Sequence, residues 1–446
     1  MGASDILLAT PLASFLGHNA SAADYIDVHP RSWPLSWLPS TADRVPFSSY
    51  HFYTEIVPVL LGFFALTVLV QLPNTRTLRL GIMSVVLTLA YHVSTTCDIA
   101  VNLGGGRMSY TNFGFCAGMI CLGMRVVDFG VASKPYVRIE YSSRHPKSLQ
   151  NPIADPWGLI IDAFDLCFNE RGVGWNWGKS TYLPPHAQTS SLQFAATSFI
   201  TALQMFTLAD FIVFAQQSFI LQPSTRPSIA PYGSIIDPTL APPARYGKAA
   251  LMTFLYTLQL SCNFQAGYSV GAALGTTVFG QQPAQWPPLF DEPWLTQSIS
   301  EFWARRWQQV FKRSFVVCGA KPIGARFGRA AGTLGAFLVS GLMHDLGMWG
   351  LGQGAEPMYM TLGFVMMGVG CLVEAAWEKY TQRKVGGFLG WVWSMAWLLT
   401  AAIPITDALA RRGFFESAMN PGDFRPAVLW IDVVKRWQSL HPDVTN

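Results

Sequence analysis

The stretch HFYTEIVPVLLGFFALTVLVQL, His51 to Leu72, decides the fold class. It holds one charged residue, Glu55, over the length a helix needs to cross a bilayer, about 20 residues. Apolar runs of the same kind recur near residues 78–96, 110–133, 191–219, 246–278, 330–349 and 357–377, with an eighth near 386–405. None shows the alternation of barrel strands, and only a helix otherwise satisfies its own backbone in lipid. The expected fold is all-α, a polytopic integral membrane bundle of about eight or nine transmembrane helices with amphipathic helices on its cytosolic side.

Composition agrees. Hydrophobic residues make up 50% and charged residues 13%, about half the charged share of a soluble globular protein. The net charge of +4 is dispersed, with no basic strip interleaved with aromatics, so nucleic acid is not an expected partner. The seven cysteines are scattered through apolar stretches without metal-ligand spacing and read as small buried hydrophobes, so no metal site is expected. The N-terminus has no basic region and is interrupted by Pro11, which argues against a cleaved secretory signal.

Two polar stretches, Lys134 to Ser190 and Gly280 to Arg329, separate the apolar runs. Together with Arg76 and Arg79 they hold half of the Lys and Arg, which places these connections in the cytosol. Residues 1–50 are then a lumenal segment with a permissible sequon at Asn19, followed by one membrane-embedded domain over residues 51–446. The basic tail from Arg411 fits an even number of spans poorly, so a re-entrant or ninth membrane element is expected near the end. No internal repeat is visible, which weighs against a transporter of inverted halves; the intramembrane charges Arg125, Asp128, Asp210 and Glu374 weigh for one. Arg125 and Asp128 are three apart on one helix and can pair; Asp210 and Glu374 can pair across helices or line a cavity.

Three segments hold the unusual chemistry. In RGVGWNW, Arg171 to Trp177, glycines permit tight backbone geometry and two tryptophans flank a cation. An interfacial aromatic belt is the slightly preferred reading from physics alone.

In WPPLFDEPWLTQSISEFWARRWQQVFKR, Trp286 to Arg313, prolines keep the start extended and Ser298 or Ser300 can cap a helix. At 100° per residue Ile299, Phe302, Trp303, Trp307, Val310 and Phe311 share one side, against Glu301, Arg305, Gln308, Gln309 and Lys312. That pattern predicts a surface helix at the cytosolic interface. Arg306 falls in the apolar arc, where it needs a partner such as a CoA phosphate or Asp210, or else snorkels.

In FLVSGLMHDLGMW, Phe337 to Trp349, His344 lies roughly 20 Å along the apolar run at 1.5 Å per residue. A titratable group there is a functional candidate, and a histidine can take an alcohol's proton as the oxygen attacks a thioester. Ser340, one turn earlier, is placed to orient the imidazole, and Asp345 follows directly. The bland alternative is a buried histidine bonded to a neighbouring helix, the reading given to His92.

Two soluble-enzyme signatures are rejected. No histidine begins an HxxxD box. Gly267-Tyr268-Ser269-Val270-Gly271 matches G-x-S-x-G, but it lies in an apolar helical run with Gly275 continuing the spacing, which reads as helix packing.

Taken together, RGVGWNW, WPPLFDEP, SISEFWARRWQQ and SGLMHD resemble the wax synthase-like branch of the membrane-bound O-acyltransferase superfamily in its filamentous-fungal form. The resemblance implies that His344 is the catalytic base and that Gln308 occupies the assisting position after RRW. There the family usually has His or Asn, and glutamine can donate a hydrogen bond but cannot act as a base. Asp345 stands where the family commonly has Glu. Trp303, Trp307, Arg171, Trp175, Ser340 and Asp345 are the expected substrate-contacting set, and Arg305, Arg306, Lys312 and Arg313 the cations for the phosphates of acyl-CoA.

The implied activity is acyl transfer, with acetyl-CoA as co-substrate and no permanently bound cofactor, onto a hydroxyl of a terpenoid or meroterpenoid drawn from the bilayer of the endoplasmic reticulum. A long-chain wax ester or sterol ester synthase is the alternative within enzymes.

Overall fold

A computed structural model of the chain describes residues 38–141, 152–185, 189–220, 232–354, 356, 358–416 and 425–440. The sequon at Asn19 and most of the expected lumenal segment lie outside the described residues. The helices in chain order are α1 (Ser49–Leu69), α2 (Arg76–Thr96), α3 (Tyr110–Val131), α4 (Pro156–Phe168) and α5 (Ser191–Ile220). They continue with α6 (Pro242–Thr277), α7 (Lys321–Gly350), α8 (Tyr359–Thr381), α9 (Gly387–Arg411) and α10 (Pro426–Leu440).

Each of the eight apolar runs coincides with a helix. Six of these helices, α1, α2, α3, α5, α8 and α9, are long and apolar enough to cross a membrane by length and composition. The other two, α6 and α7, carry Gln259, Asn263 and Gln265, and His344 and Asp345, the polar groups of a bundle interior. The chain is an integral membrane protein of mostly helical structure.

One apolar core gathers α1, α2 and α3 with Leu166 of α4 and Trp175. A second gathers α6 to α9 around Met252, Met348, Met360, Met367 and Leu409. Helix α7 joins the two. Gly347 lies against Phe113 and Gly350 against Cys116 on α3, while Gly341 meets the backbone of Thr361 on α8. Small residues let helix backbones approach where lipid gives no hydrophobic drive to associate. Gly271 and Gly275, expected to pack helix against helix, lie inside α6 but pack instead on the Trp286 ring of the loop that follows it.

Before its membrane segment α7 makes a hairpin. Gly328 adopts φ 86° and ψ 174°, a region open essentially to glycine, and the chain turns back on itself there. The two arms touch through Gly319 against Gly335 and Gly324 against Gly332.

Helix α4 presents an apolar outer face. Asp155 caps it by accepting the Gly158 N–H at 2.9 Å, and Pro156 starts it. Leu159, Ala163 and Leu166 are buried, while Trp157, Ile160, Ile161, Phe164 and Phe168 are exposed. An apolar outer face of this kind suits the headgroup boundary of a bilayer.

The element expected near the C-terminus is α10. Its 15 residues are too short to cross the hydrocarbon, which takes about 20. Arg425 and the Ala427 N–H both donate to Asp210 of α5 at 2.9 Å, so Asp210 secures this helix and has no bond to Arg306.

Candidate active site

The FWARRW segment is not a surface helix. Ser298 caps its start through the Glu301 N–H at 2.9 Å, as expected. The N–H groups of Ile299 and Ser300 then donate to the Glu374 carboxylate of α8 at 2.6 and 2.9 Å. A carboxylate at a helix N-terminus meets both the orphan donors and the positive end of the dipole. Glu374 therefore draws this end into the bundle, where Ile299, Phe302 and Trp307 are all buried.

The helix also stops early. Residues 302–306 form a π-turn, and Trp307 is extended at φ −75° and ψ 155°. Gln309, placed on the polar side by periodicity, is 3% exposed and donates to the carbonyls of Trp303 and Trp307 at 3.0 and 2.7 Å. Those carbonyl bonds replace a further helical turn. Arg306, assigned to the apolar arc, instead donates to Glu301 at 2.7 Å.

This placement brings Trp303 to the helix that carries His344. The Trp303 ring meets Phe337 of α7 edge-on at 5.6 Å and Phe364 of α8 at 6.3 Å. The His344 imidazole stacks on the same Phe364 at 4.3 Å, 22° from parallel. His344 and Trp303 each keep some accessible surface although they sit beside the core.

The SGLMHD segment has a distinct use for each polar residue. His344 Nδ1 donates to the Ser340 carbonyl oxygen at 2.7 Å. A carbonyl can only accept, so the neutral ring carries its proton on Nδ1 and keeps Nε2 as the basic nitrogen. Ser340 orients the imidazole as expected, but through its backbone and not its hydroxyl. Asp345 turns away from the imidazole. It accepts from Met360 N at 3.2 Å, Thr361 N at 3.0 Å and Thr361 Oγ1 at 2.5 Å, and so fastens the start of α8.

The expected cations separate into bound and accessible ones. Arg313 donates to both oxygens of Asp128 at 2.6 and 2.9 Å and lies 4.3 Å over the Trp177 ring. Burial works against its charge, but the Asp128 carboxylate outweighs burial and raises its pKa. Asp128 meets Arg125, its expected partner, at only 3.4 Å. Lys312 donates to the Ala304 carbonyl at 3.1 Å, and burial lowers its pKa. Arg305 is exposed beside the Tyr182 ring at 5.4 Å.

The RGVGWNW loop is a joint, not a belt. Trp175 is 1% exposed and donates to Asp165 at 2.8 Å. Gly172 and Gly174 hold φ of 69° and 77°, and a Cβ on Gly174 would press on the Glu140 carbonyl. Arg171 donates to the carbonyls of Pro288 and Pro287 at 2.7 and 2.6 Å, tying the first polar stretch to the second. Beside it a cavity of about 300 Å³ is lined by Phe164, Glu170, Arg171, Tyr268, Trp286 and Val310.

Gln308 accepts the Val310 N–H on its side-chain oxygen at 2.8 Å. Sequence reasoning missed Phe364, the ring shared by His344 and Trp303; nothing in its local sequence marks it. Glu374 was visible as an intramembrane charge, but its partner was a pair of backbone N–H groups, which no residue pattern reveals.

A profile described as the membrane bound O-acyl transferase family matches residues 286–367, the region that holds both Trp303 and His344. Over that segment the chain is similar to this family. Among curated relatives, an acetyltransferase of Hericium erinaceus, eriL, is 23% identical over 276 residues, 58% of this chain and 69% of that protein. The O-mevalon transferase macI of Penicillium terrestre is 22% identical over 405 residues, 83% of this chain and 88% of that one. A probable long-chain-alcohol O-fatty-acyltransferase 1 of Arabidopsis thaliana is 32% identical over 123 residues, 23% of this chain and 34% of that one.

Proposed function

We propose that this acyltransferase moves an acetyl group from acetyl-CoA to a hydroxyl of a lipophilic terpenoid or meroterpenoid, with His344 as the base. The observation that carries the reading is the Nδ1 bond of His344 to the Ser340 carbonyl, which leaves Nε2 free to accept a proton within the bundle. Residues 51–446 act as one membrane-embedded catalytic domain in the endoplasmic reticulum.

The alcohol enters from the bilayer and the acyl donor from the end that holds Arg305 and Lys312, which take its phosphates. As the alcohol oxygen attacks the thioester carbon, Nε2 of His344 takes its proton. A tetrahedral oxyanion forms, the C–S bond breaks, and the imidazolium returns the proton to the departing thiolate of CoA. The acyl group passes directly between the two substrates.

The fungal acetyltransferase relative supports the acetyl donor. The plant relatives, named as long-chain-alcohol O-fatty-acyltransferases, favour a second reading, a fatty acyl group onto a long-chain alcohol. Microsomes holding the protein are given acetyl-CoA or palmitoyl-CoA with a terpenoid or a fatty alcohol, and products are weighed by mass spectrometry. An acetate ester of the terpenoid is expected, and a palmitate ester of the fatty alcohol in its place selects the second reading. His344→Ala lowers the rate about 100-fold or more at equal abundance; full transfer by that variant removes the assignment.

A further inference from the structure

The indole Nε1–H of Trp303 is buried and has no hydrogen-bond partner. A buried donor in that state costs about 1–3 kcal/mol, so native proteins rarely keep one without a use. Trp303 is not free to turn in search of a partner. Its ring is fenced by Phe302 at 5.0 Å, Phe337 at 5.6 Å, Phe364 at 6.3 Å and Trp307 at 6.4 Å. Its carbonyl is held by Gln309. The ring is thus fixed, with its one polar atom unspent, against the phenyl group on which His344 stacks.

The tetrahedral intermediate of acyl transfer needs a donor aimed at the oxygen that was the thioester carbonyl. We propose that Trp303 is a catalytic residue whose Nε1–H donates to that oxyanion. The assignment rests on the reading of His344 as the base, since the oxyanion forms on the carbon that the alcohol attacks. A fixed indole suits the task, because it is a donor only and needs no reorganisation as charge develops. Its bond is made in the transition state, so its loss falls on kcat and not on KM.

The test replaces Trp303 by phenylalanine and, by codon suppression, by benzothienylalanine, which keeps the bicyclic shape and lacks only the N–H. Both proteins are assayed in proteoliposomes beside His344→Ala, with abundance and melting temperature recorded. The benzothienyl protein is expected to fold as the parent does, with kcat down roughly 100-fold and KM for acyl-CoA and alcohol within about threefold. Parental kcat in that protein, or a rise in KM alone, overturns the proposal even if Trp303→Phe fails to accumulate. Activity in His344→Ala defeats instead the reading on which it rests, so the two failures are told apart.

Discussion

Glu374 of α8 accepts the backbone N–H of Ile299 at 2.6 Å, and through that bond a membrane span grips the first residue of the FWARRW helix. A neighbouring bond from Ser300 and one from Trp393 Nε1 at 3.1 Å complete the carboxylate's partners. The anchor, not the amphipathic pattern, decides that Trp303 and Trp307 point into the bundle.

Removing that anchor is predicted to cost more than one ordinary hydrogen bond, because two helix-terminal donors lose their partner at once. Glu374→Ala should lower stability by about 2–3 kcal/mol and reduce transfer with it. Glu374→Gln, which keeps one accepting oxygen, should lose less. A melting curve in detergent checks both, and an unchanged melting temperature in the alanine protein would show that other contacts hold the segment.

The backbone origin of the His344 bond leads to an unusual expectation for Ser340. Ser340→Ala removes the hydroxyl but keeps the carbonyl that receives Nδ1, so its kcat should stay within about threefold of the parent. Steady-state assays of an abundance-matched preparation decide it; a loss as deep as that of His344→Ala would mean that the hydroxyl orients the ring.

Asp128 and Arg313 form a two-point ion pair that also receives the Tyr136 hydroxyl on Asp128 at 2.8 Å. Breaking a buried pair leaves an uncompensated charge, so Asp128→Asn should destabilise by about 3 kcal/mol. Adding Arg313→Met should recover part of that loss. A double-mutant cycle read by thermal unfolding tests the coupling, and additive losses would refute it.

Gly341 has no room for a side chain, since a Cβ there would strike the backbone of Thr361. Gly341→Val should push α8 away from α7, carry Phe364 off the His344 ring, and lower both abundance and activity. Gly328→Ala meets open space and only an unfavourable φ of 86°, so about 1–3 kcal/mol is its expected cost and specific activity should survive. Parallel expression and activity measurements separate the two.

Gln216 is fully buried with neither end of its amide bonded. Gln216→Met, of similar length and shape, should therefore raise the melting temperature, by the equivalent of about 1–2 kcal/mol. A lowered melting temperature would show that the amide has a partner in the folded protein.

Much was legible in the residues themselves. The eight apolar runs became helices because each is long enough to satisfy its backbone alone in lipid, a property local to the run. His344 stood out because an imidazole is costly in an apolar helix, and Arg171 because a cation between glycines needs acceptors. The failures also share a cause. Helical periodicity from Ile299 to Lys312 predicts a surface helix, but it takes no account of Glu374, 75 residues later in the chain, or of Gln309 turning back onto the Trp303 and Trp307 carbonyls. Arg313 was legible as a cation but not as the partner of Asp128, which lies 185 residues away.

The sequence by itself determined a helical membrane protein and marked His344 as a titratable group inside an apolar run, because burial of apolar runs and the cost of polar groups in lipid are properties of the residues present. Only the tertiary structure decided which nitrogen of His344 is basic, which cations are already spent on carboxylates and that Trp303 shares Phe364 with the histidine. Those follow from bonds and ring contacts between distant segments, whose partners are chosen by packing and leave no periodic trace along the chain.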